Sequence, residues 1–249
     1  MSERIICGIN TVNQALARRP GKILRVYLQD NLGAERLGRI ADELVKHALP
    51  TERVSAAVLD KLTGGSRHQG VAAALAGLTV MDDYEALDYL GGLTNPLILV
   101  LDGIEDPRNY GACLRTADGA GADLVVSGRS RGVDITPAVS KVASGAAEAQ
   151  PIARVANLAR FMRSLQELNI WIVGTDERGP GTLYEANLTG PLAVVMGAEG
   201  KGMRHLTREH CDVLVRLPMH GVVESLNIAV AAGVCLYECV RQRSKSAVT

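Results

Sequence analysis

Three short stretches carry polar side chains among small residues, and each directly follows an apolar run. The first, Asp102-Gly103-Ile104-Glu105-Asp106-Pro107-Arg108-Asn109-Tyr110-Gly111, continues into Leu114-Arg115-Thr116. The second is Met196-Gly197-Ala198-Glu199-Gly200; the third joins Leu217-Pro218-Met219 to Glu224-Ser225-Leu226-Asn227. In open α/β sheets, ligand sites lie outside the carboxyl ends of the strands, so three such loops could converge on one pocket. Gly197 and Gly200 permit positive φ and close backbone approach, and Pro218 sets a tight bend. Asn109 suits a helix N-cap, as do Ser225 and Asn227, but two polar residues flanking a leucine at one helix mouth exceed what a cap requires.

Other chemistries find little support. Gly197-Ala198-Glu199-Gly200-Lys201-Gly202 is followed by Met203, so it gives neither the dinucleotide fingerprint nor the phosphate-cradling P-loop. Cys235 and Cys239 stand four apart on an apolar stretch, with no histidine or carboxylate pattern to complete a metal site, and no metal is expected. Ser225 lacks the G-x-S-x-G elbow of a hydrolase nucleophile.

The elements that must position these loops read as α/β. Near-continuous apolar runs at Leu97–Leu101, Leu124–Ser127, Ile170–Gly174, Leu192–Met196 and Val213–Leu217 fit strands of a parallel sheet covered on both faces. Helical spacing alternates with them at Tyr110–Gly119, Pro137–Ala143, Leu158–Leu168, Arg204–His210 and Ser225–Arg243. The last of these is apolar almost all round from Leu226 to Val240, so it must be buried on two sides, and a second subunit can supply one of them. Upstream lies a smaller α/β module. Asn10 would cap a helix over Thr11–Arg18, Ile23–Leu28 alternates as a strand, and Ala34–Lys46 is helical. Ser55 precedes a helix over Ala56–Leu62, and His68–Ala73 reads as a strand. The expected boundaries are 1–76 for this module, 77–95 for a linker with a helix near Tyr84–Leu90, 96–244 for the larger domain and 245–249 for a tail.

Composition narrows the setting. The 249 residues are 47% hydrophobic and 3% aromatic, so Ala, Val, Leu and Ile must fill the core. No apolar run approaches the ~20 residues that span a bilayer. The opening Met1-Ser2-Glu3-Arg4 shows no signal-peptide pattern, which points to the cytosol. Five scattered cysteines in apolar surroundings read as buried reduced thiols. Net charge is zero overall, yet residues 1–75 carry 11 basic against 7 acidic side chains, while residues 76–96 carry four acids and no base. A basic amino-terminal module fits a polyanionic partner; a solvated basic face is the plainer alternative.

The three stretches, N-Y-G-x-x-x-R-T, M-G-x-E-G-x-G and L-P-M…S-L-N-x-x-x-A, together resemble the three motifs of the SpoU branch of the SPOUT RNA methyltransferases, in order across residues 97–244. Ile6-Cys7-Gly8-Ile9-Asn10 and His68-Gln69-Gly70-Val71 are similar to features of the L30e-like RNA-binding domain that precedes the catalytic domain in that family. The resemblance implies a parallel-sheet domain with a deep carboxyl-terminal trefoil knot, and a homodimer formed through the knot and last helix. It implies S-adenosyl-L-methionine as cofactor, contacted by the backbone of Gly197, Leu217 and Leu226 with Met196, Met219 and Ser225 beside them. It makes Arg115 the key catalytic residue, surrounded by Asn109, Glu199, Ser225 and Asn227. A guanidinium holds its proton to a pH above ~12. Arg115 is therefore expected to bind the target phosphate and stabilise the developing alkoxide, leaving the final proton acceptor open.

The implied reaction is methylation of the ribose 2′-OH of a guanosine in the peptidyl-transferase region of 23S rRNA. The alternatives are another rRNA nucleotide, a tRNA, or a non-catalytic assembly factor. In the amino-terminal module, Arg18, Arg19, Lys22, Arg25 and Arg67 are candidate phosphate contacts. His68 and Gln69 are assigned to a strand end. Few aromatics argue against base stacking, so RNA shape and backbone would dominate recognition.

Overall fold

The computed structural model describes residues 3–18, 20–76, 80–130 and 132–246, and the chain divides into two compact units, Met1–Gly77 and Leu78–Thr249. The first unit runs β1 (Glu3–Cys7), α1 (Ile9–Arg18), β2 (Ile23–Gln29), α2 (Ala34–Lys46), β3 (Thr51–Val54), α3 (Ala56–Leu62) and β4 (Val71–Ala76). Its sheet has the order β1-β4-β2-β3, with only the β2–β3 pair parallel. The period of two sorts the side chains. Ile6, Val26, Leu28, Val71 and Ala73 pack with Val12 and Leu16 of α1 and Leu37, Ile40 and Leu44 of α2. Ile5, Cys7, Tyr27 and Ala72 meet Leu59 of α3.

Two expectations for this unit are corrected. Helix α1 starts at Ile9, which places Asn10 inside the first turn, and the Ile9 N–H donates to Gln69 Oε1 at 3.1 Å. A side chain sixty residues away thus does the work expected of Asn10. Strand β4 begins only at Val71, because Gln69 (φ +53°) and Gly70 (φ +83°) are both left-handed and form a turn. Ser55 caps α3 as expected, accepting from the Val58 N–H.

The second unit runs α4 (Asp83–Gly91), β5 (Leu97–Asp102), α5 (Pro107–Ala120), β6 (Leu124–Gly128), α6 (Pro137–Ala143), α7 (Ala146–Ala149), β7 (Ile152–Val155) and α8 (Leu158–Glu167). It continues with β8 (Trp171–Thr175), β9 (Gly181–Thr182), β10 (Leu192–Gly197), α9 (His205–Glu209), β11 (Val213–Arg216) and α10 (Ile228–Ser246). Seven strands, all parallel, lie in the order β7-β6-β5-β10-β8-β11-β9. Leu97, Leu99 and Leu101 face a core shared with α5 and α10, whereas Ile98 and Val100 face α4 and α8. Burying one such side chain contributes about 1.5–3 kcal/mol, so the sheet and its two helical layers fix where the loops emerge. Helix α4, inside the segment expected as a linker, packs Ala86 and Leu90 into this core, and α10 runs two residues into the expected tail.

No helix among the described residues is long and apolar enough to cross a membrane. Cys113, Cys235 and Cys239 are buried, but Cys7 and Cys211 are only half-buried, which corrects the expectation for those two. All five thiols are free. Burial pushes those of Cys113, Cys211, Cys235 and Cys239 up to about 12, so they are poor nucleophiles.

Candidate active site

Strand register brings the loops together. Gly197 at the end of β10 pairs with Asp102 at the end of β5, so the first and second stretches leave the sheet side by side. The second stretch then doubles back on itself: Ala198 and Gly202 exchange backbone hydrogen bonds of 2.8 and 3.2 Å. A Cβ at Gly197 would stand 2.2 Å from the Met203 nitrogen, so only glycine fits there. The fully buried carboxylate of Asp102 clamps the far end of this loop, accepting from the Arg204 N–H at 2.8 Å, with the Arg204 Nε at 3.4 Å.

At the loop's tip, Glu199 joins all three stretches. Its Oε2 accepts from Asn109 Nδ2 at 3.1 Å, and its Oε1 accepts from Asn227 Nδ2 at 2.9 Å and the Ile228 N–H at 3.2 Å. Asn227 Nδ2 also donates to Asn109 Oδ1 at 2.9 Å, closing a triangle. Asn227 Oδ1 caps α10 by accepting from the Ala229 N–H at 2.9 Å. A carboxylate at a helix amino terminus is favoured by the unsatisfied N–H groups and the helix dipole. Capping and site assembly are therefore one arrangement here. Helix α10 starts at Ile228 rather than Ser225, because Asn227 takes the cap.

Arg115 stands outside the triangle. It is exposed on α5, and its Nη1 donates to Ser144 Oγ at 3.5 Å. Ser144 is itself left-handed (φ +51°) where α6 ends. Among the described residues, Ser225 makes no hydrogen bond, and neither do the backbone C=O groups of residues 218–225 or the N–H groups of residues 219–225. Leu217, Met219 and Leu226 are half-buried and Met196 is buried. Free backbone donors and acceptors, two thioethers and two leucines are the chemistry that a ligand with a polar amino-acid end and a flat heterocycle calls for, so in kind the residues expected to hold the cofactor fit it.

Asp102, Arg204 and Ser144 had no assigned role in the sequence; only Asp102's place at a strand end could have marked it. Among the described residues no cluster of three or more His, Cys, Asp or Glu could hold a metal ion. A hollow of about 420 Å³ around Trp171, Asn187 and Val213 lies at the opposite, amino ends of β8, β10 and β11, and takes no part in this site. We expect Glu199→Gln, which swaps one acceptor oxygen for a donor, to lower activity at least ~10-fold with a small change in melting temperature. Steady-state rates beside a melting curve check this; wild-type rates would separate the triangle from turnover.

The fold and site define an α/β domain in which three strand-end loops are hydrogen-bonded together, preceded in the chain by a small α/β unit. Residues 96–237 match the SpoU rRNA methylase family, and residues 5–81 match the RNA 2′-O ribose methyltransferase substrate-binding family. The chain belongs to the SpoU rRNA methylase family.

It is 47% identical over 244 residues, 98% of this chain and 99% of the relative, to a 23S rRNA (guanosine-2′-O-)-methyltransferase RlmB of Haemophilus influenzae. It is 49% identical over 243 residues, again 98% and 99% of the two chains, to that of Pectobacterium atrosepticum. Among solved structures, an RNA 2′-O ribose methyltransferase matches with a TM-score of 0.61 and 30% identity, covering 97% of this chain and 89% of the other. The SpoU methyltransferase AviRb of Streptomyces viridochromogenes, in complex with AdoMet, matches with a TM-score of 0.63 and 25% identity, covering 98% and 91%.

Proposed function

We propose that this protein methylates the ribose 2′-OH of a guanosine in 23S rRNA, using S-adenosylmethionine bound by the three loops. The observation that carries the reading is the Asn109–Glu199–Asn227 triangle, which ties the three motif stretches together. The cofactor, when bound, supplies a methyl group on a positively charged sulfur. Gly197, Leu217 and Leu226 offer backbone contacts to it, with Met196, Met219 and Ser225 alongside. Glu199 and the two asparagines hold the loops in register, which is the alignment an in-line displacement at carbon demands. Arg115, exposed on α5, binds the RNA phosphate and stabilises charge growing on the 2′-oxygen in this reading, which its solvent exposure supports.

Strand β10 enters between β5 and β8, and β11 between β8 and β9, so late strands fill gaps left by earlier ones. That order supports a trefoil knot in the carboxyl-terminal segment, against the usual rule of unthreaded connections. The protein acts as a cytoplasmic homodimer in this proposal. On α10, Val230 and Tyr237 are 54% and 55% exposed and seven residues apart, so they share one apolar face with half-buried Val234. Val230→Asp with Tyr237→Asp is expected to shift the protein to monomer in sedimentation equilibrium and to depress activity; an unchanged dimer would place the interface elsewhere.

The decisive test is a ribose-methylation map of rRNA and tRNA from a deletion strain, with rescue by the intact gene. Loss of one guanosine methyl in the peptidyl-transferase region of 23S rRNA is the expected result. An unchanged 23S profile with a missing tRNA methyl would move the substrate to tRNA, and cofactor binding without transfer to any RNA would favour an assembly factor.

A further inference from the structure

A second cluster of unpaired polar groups lies in the amino-terminal unit. A hollow of about 390 Å³, within the usual size for small-ligand sites, is lined by Gln29, Asn31, Leu32, Gly33, His68, Gln69 and Gly70. Three carboxamides meet there. Among the described residues, the side chains of Gln29 and Asn31 make no hydrogen bond, and Gln69 uses only its Oε1, on the Ile9 N–H. His68 is committed at both ring nitrogens: Nδ1 accepts from the Gly70 N–H at 3.0 Å, and Nε2 donates to Asp60 at 3.2 Å. It therefore adds surface rather than hydrogen-bonding capacity.

The wall is held in place at a conformational cost. Gln69 is left-handed at φ +53°, a sparsely populated region for a residue with a long side chain and one that recurs at ligand sites. At Gly70 (φ +83°) a Cβ would lie 2.9 Å from Leu32 Cδ1, so the turn closes tightly on an apolar floor. A carboxamide presents a donor and an acceptor side by side, as the edge of a nucleobase does, and carries no net charge. Bases in a duplex are inaccessible to such a pocket, whereas unstacked ones can enter. Next to the Gln29 wall, Arg53 Nη1 donates to the Gln29 and Asp30 carbonyls at 3.2 and 3.3 Å, which holds a positive charge near the hollow.

We infer that this hollow binds one unpaired RNA nucleobase, whose edge is read by the Gln29, Asn31 and Gln69 carboxamides. The inference rests on the reading of the substrate as RNA, and adds base-specific contact to a unit whose composition suggested shape and backbone recognition alone. The test uses the full-length protein and transcribed 23S rRNA, with binding measured across a salt series. Gln29→Ala with Asn31→Ala should weaken rRNA binding about 10-fold or more, with AdoMet affinity unchanged. The slope of log K against log salt should stay as in the wild type, because base contacts release no counterions. Arg53→Gln should instead reduce that slope by about one. Wild-type rRNA affinity in the double variant, or in the exposed-site variant Asn31→Ala together with Gln69→Ala, would overturn the inference. So would a weakening accompanied by a changed slope, which would make the hollow a phosphate site. Methyl transfer by the wild type is scored in the same reactions, so failure of the proposed activity and failure of the hollow are separate results.

Discussion

Gly197→Ala is expected to weaken cofactor binding severely. The added methyl would lie 2.2 Å from the Met203 nitrogen and 2.3 Å from the Gly202 carbonyl carbon, both main-chain atoms that no rotamer change can move aside. Relief requires the loop over residues 198–202 to swing off the end of β10. That breaks the Ala198–Gly202 exchange and carries Glu199 away from Asn109 and Asn227. A displacement of about 1 Å at positioning groups costs roughly 100-fold in rate, so AdoMet affinity and turnover should each fall by at least ~100-fold. The core beneath is untouched, because Val194, Val195 and Met196 stay paired in the sheet. Titration calorimetry with AdoMet, beside a melting curve, checks both parts. Normal cofactor affinity in a folded variant would remove this loop from the site.

How far the sequence reveals this arrangement depends on how local each cause is. Strands β5 and β10 are buried on both faces, so their unbroken apolar runs stand out, and the α/β rule then places their loops together. Strand β3 escapes notice because Thr51, Glu52 and Arg53 are exposed and only Val54 is buried. Strand β7, at the sheet edge, is interrupted by Arg154, and β9 has two residues. The cap of α1 is hidden from the sequence for a different reason: Gln69 makes it, and no spacing rule links positions sixty residues apart. At the active site, motif order identifies Asn109, Glu199 and Asn227 as partners, while their hydrogen-bonded triangle spans 118 residues and appears only on folding.

Among the basic residues singled out in the first unit, Arg25 pairs with Glu52 at 2.7 Å, which lessens its availability to phosphate. Arg67 is exposed. Arg19 lies outside the described residues, as do the side chains of Arg18 and Lys22.

Arg115→Ala should lower turnover by at least ~100-fold, the usual cost of deleting one donor that stabilises transition-state charge. The protein should remain folded, because Tyr110, Cys113, Leu114 and Ala117 of α5 carry the packing and Arg115 faces solvent. Its 3.5 Å contact to Ser144 is long and exposed, so its loss contributes little to stability. No carboxylate pairs with Arg115 among the described residues, which leaves its charge open to an RNA phosphate. Two measurements separate the roles. If the guanidinium meets a phosphate, the salt slope of rRNA binding falls by about one in the alanine variant. If it also stabilises the alkoxide, kcat falls with AdoMet affinity unchanged, and Arg115→Lys, which keeps the charge and loses the planar fork, recovers only part of the rate. Near-normal kcat in a folded Arg115→Ala variant would exclude the residue from the chemistry and shift attention to the Asn109–Glu199–Asn227 triangle alone.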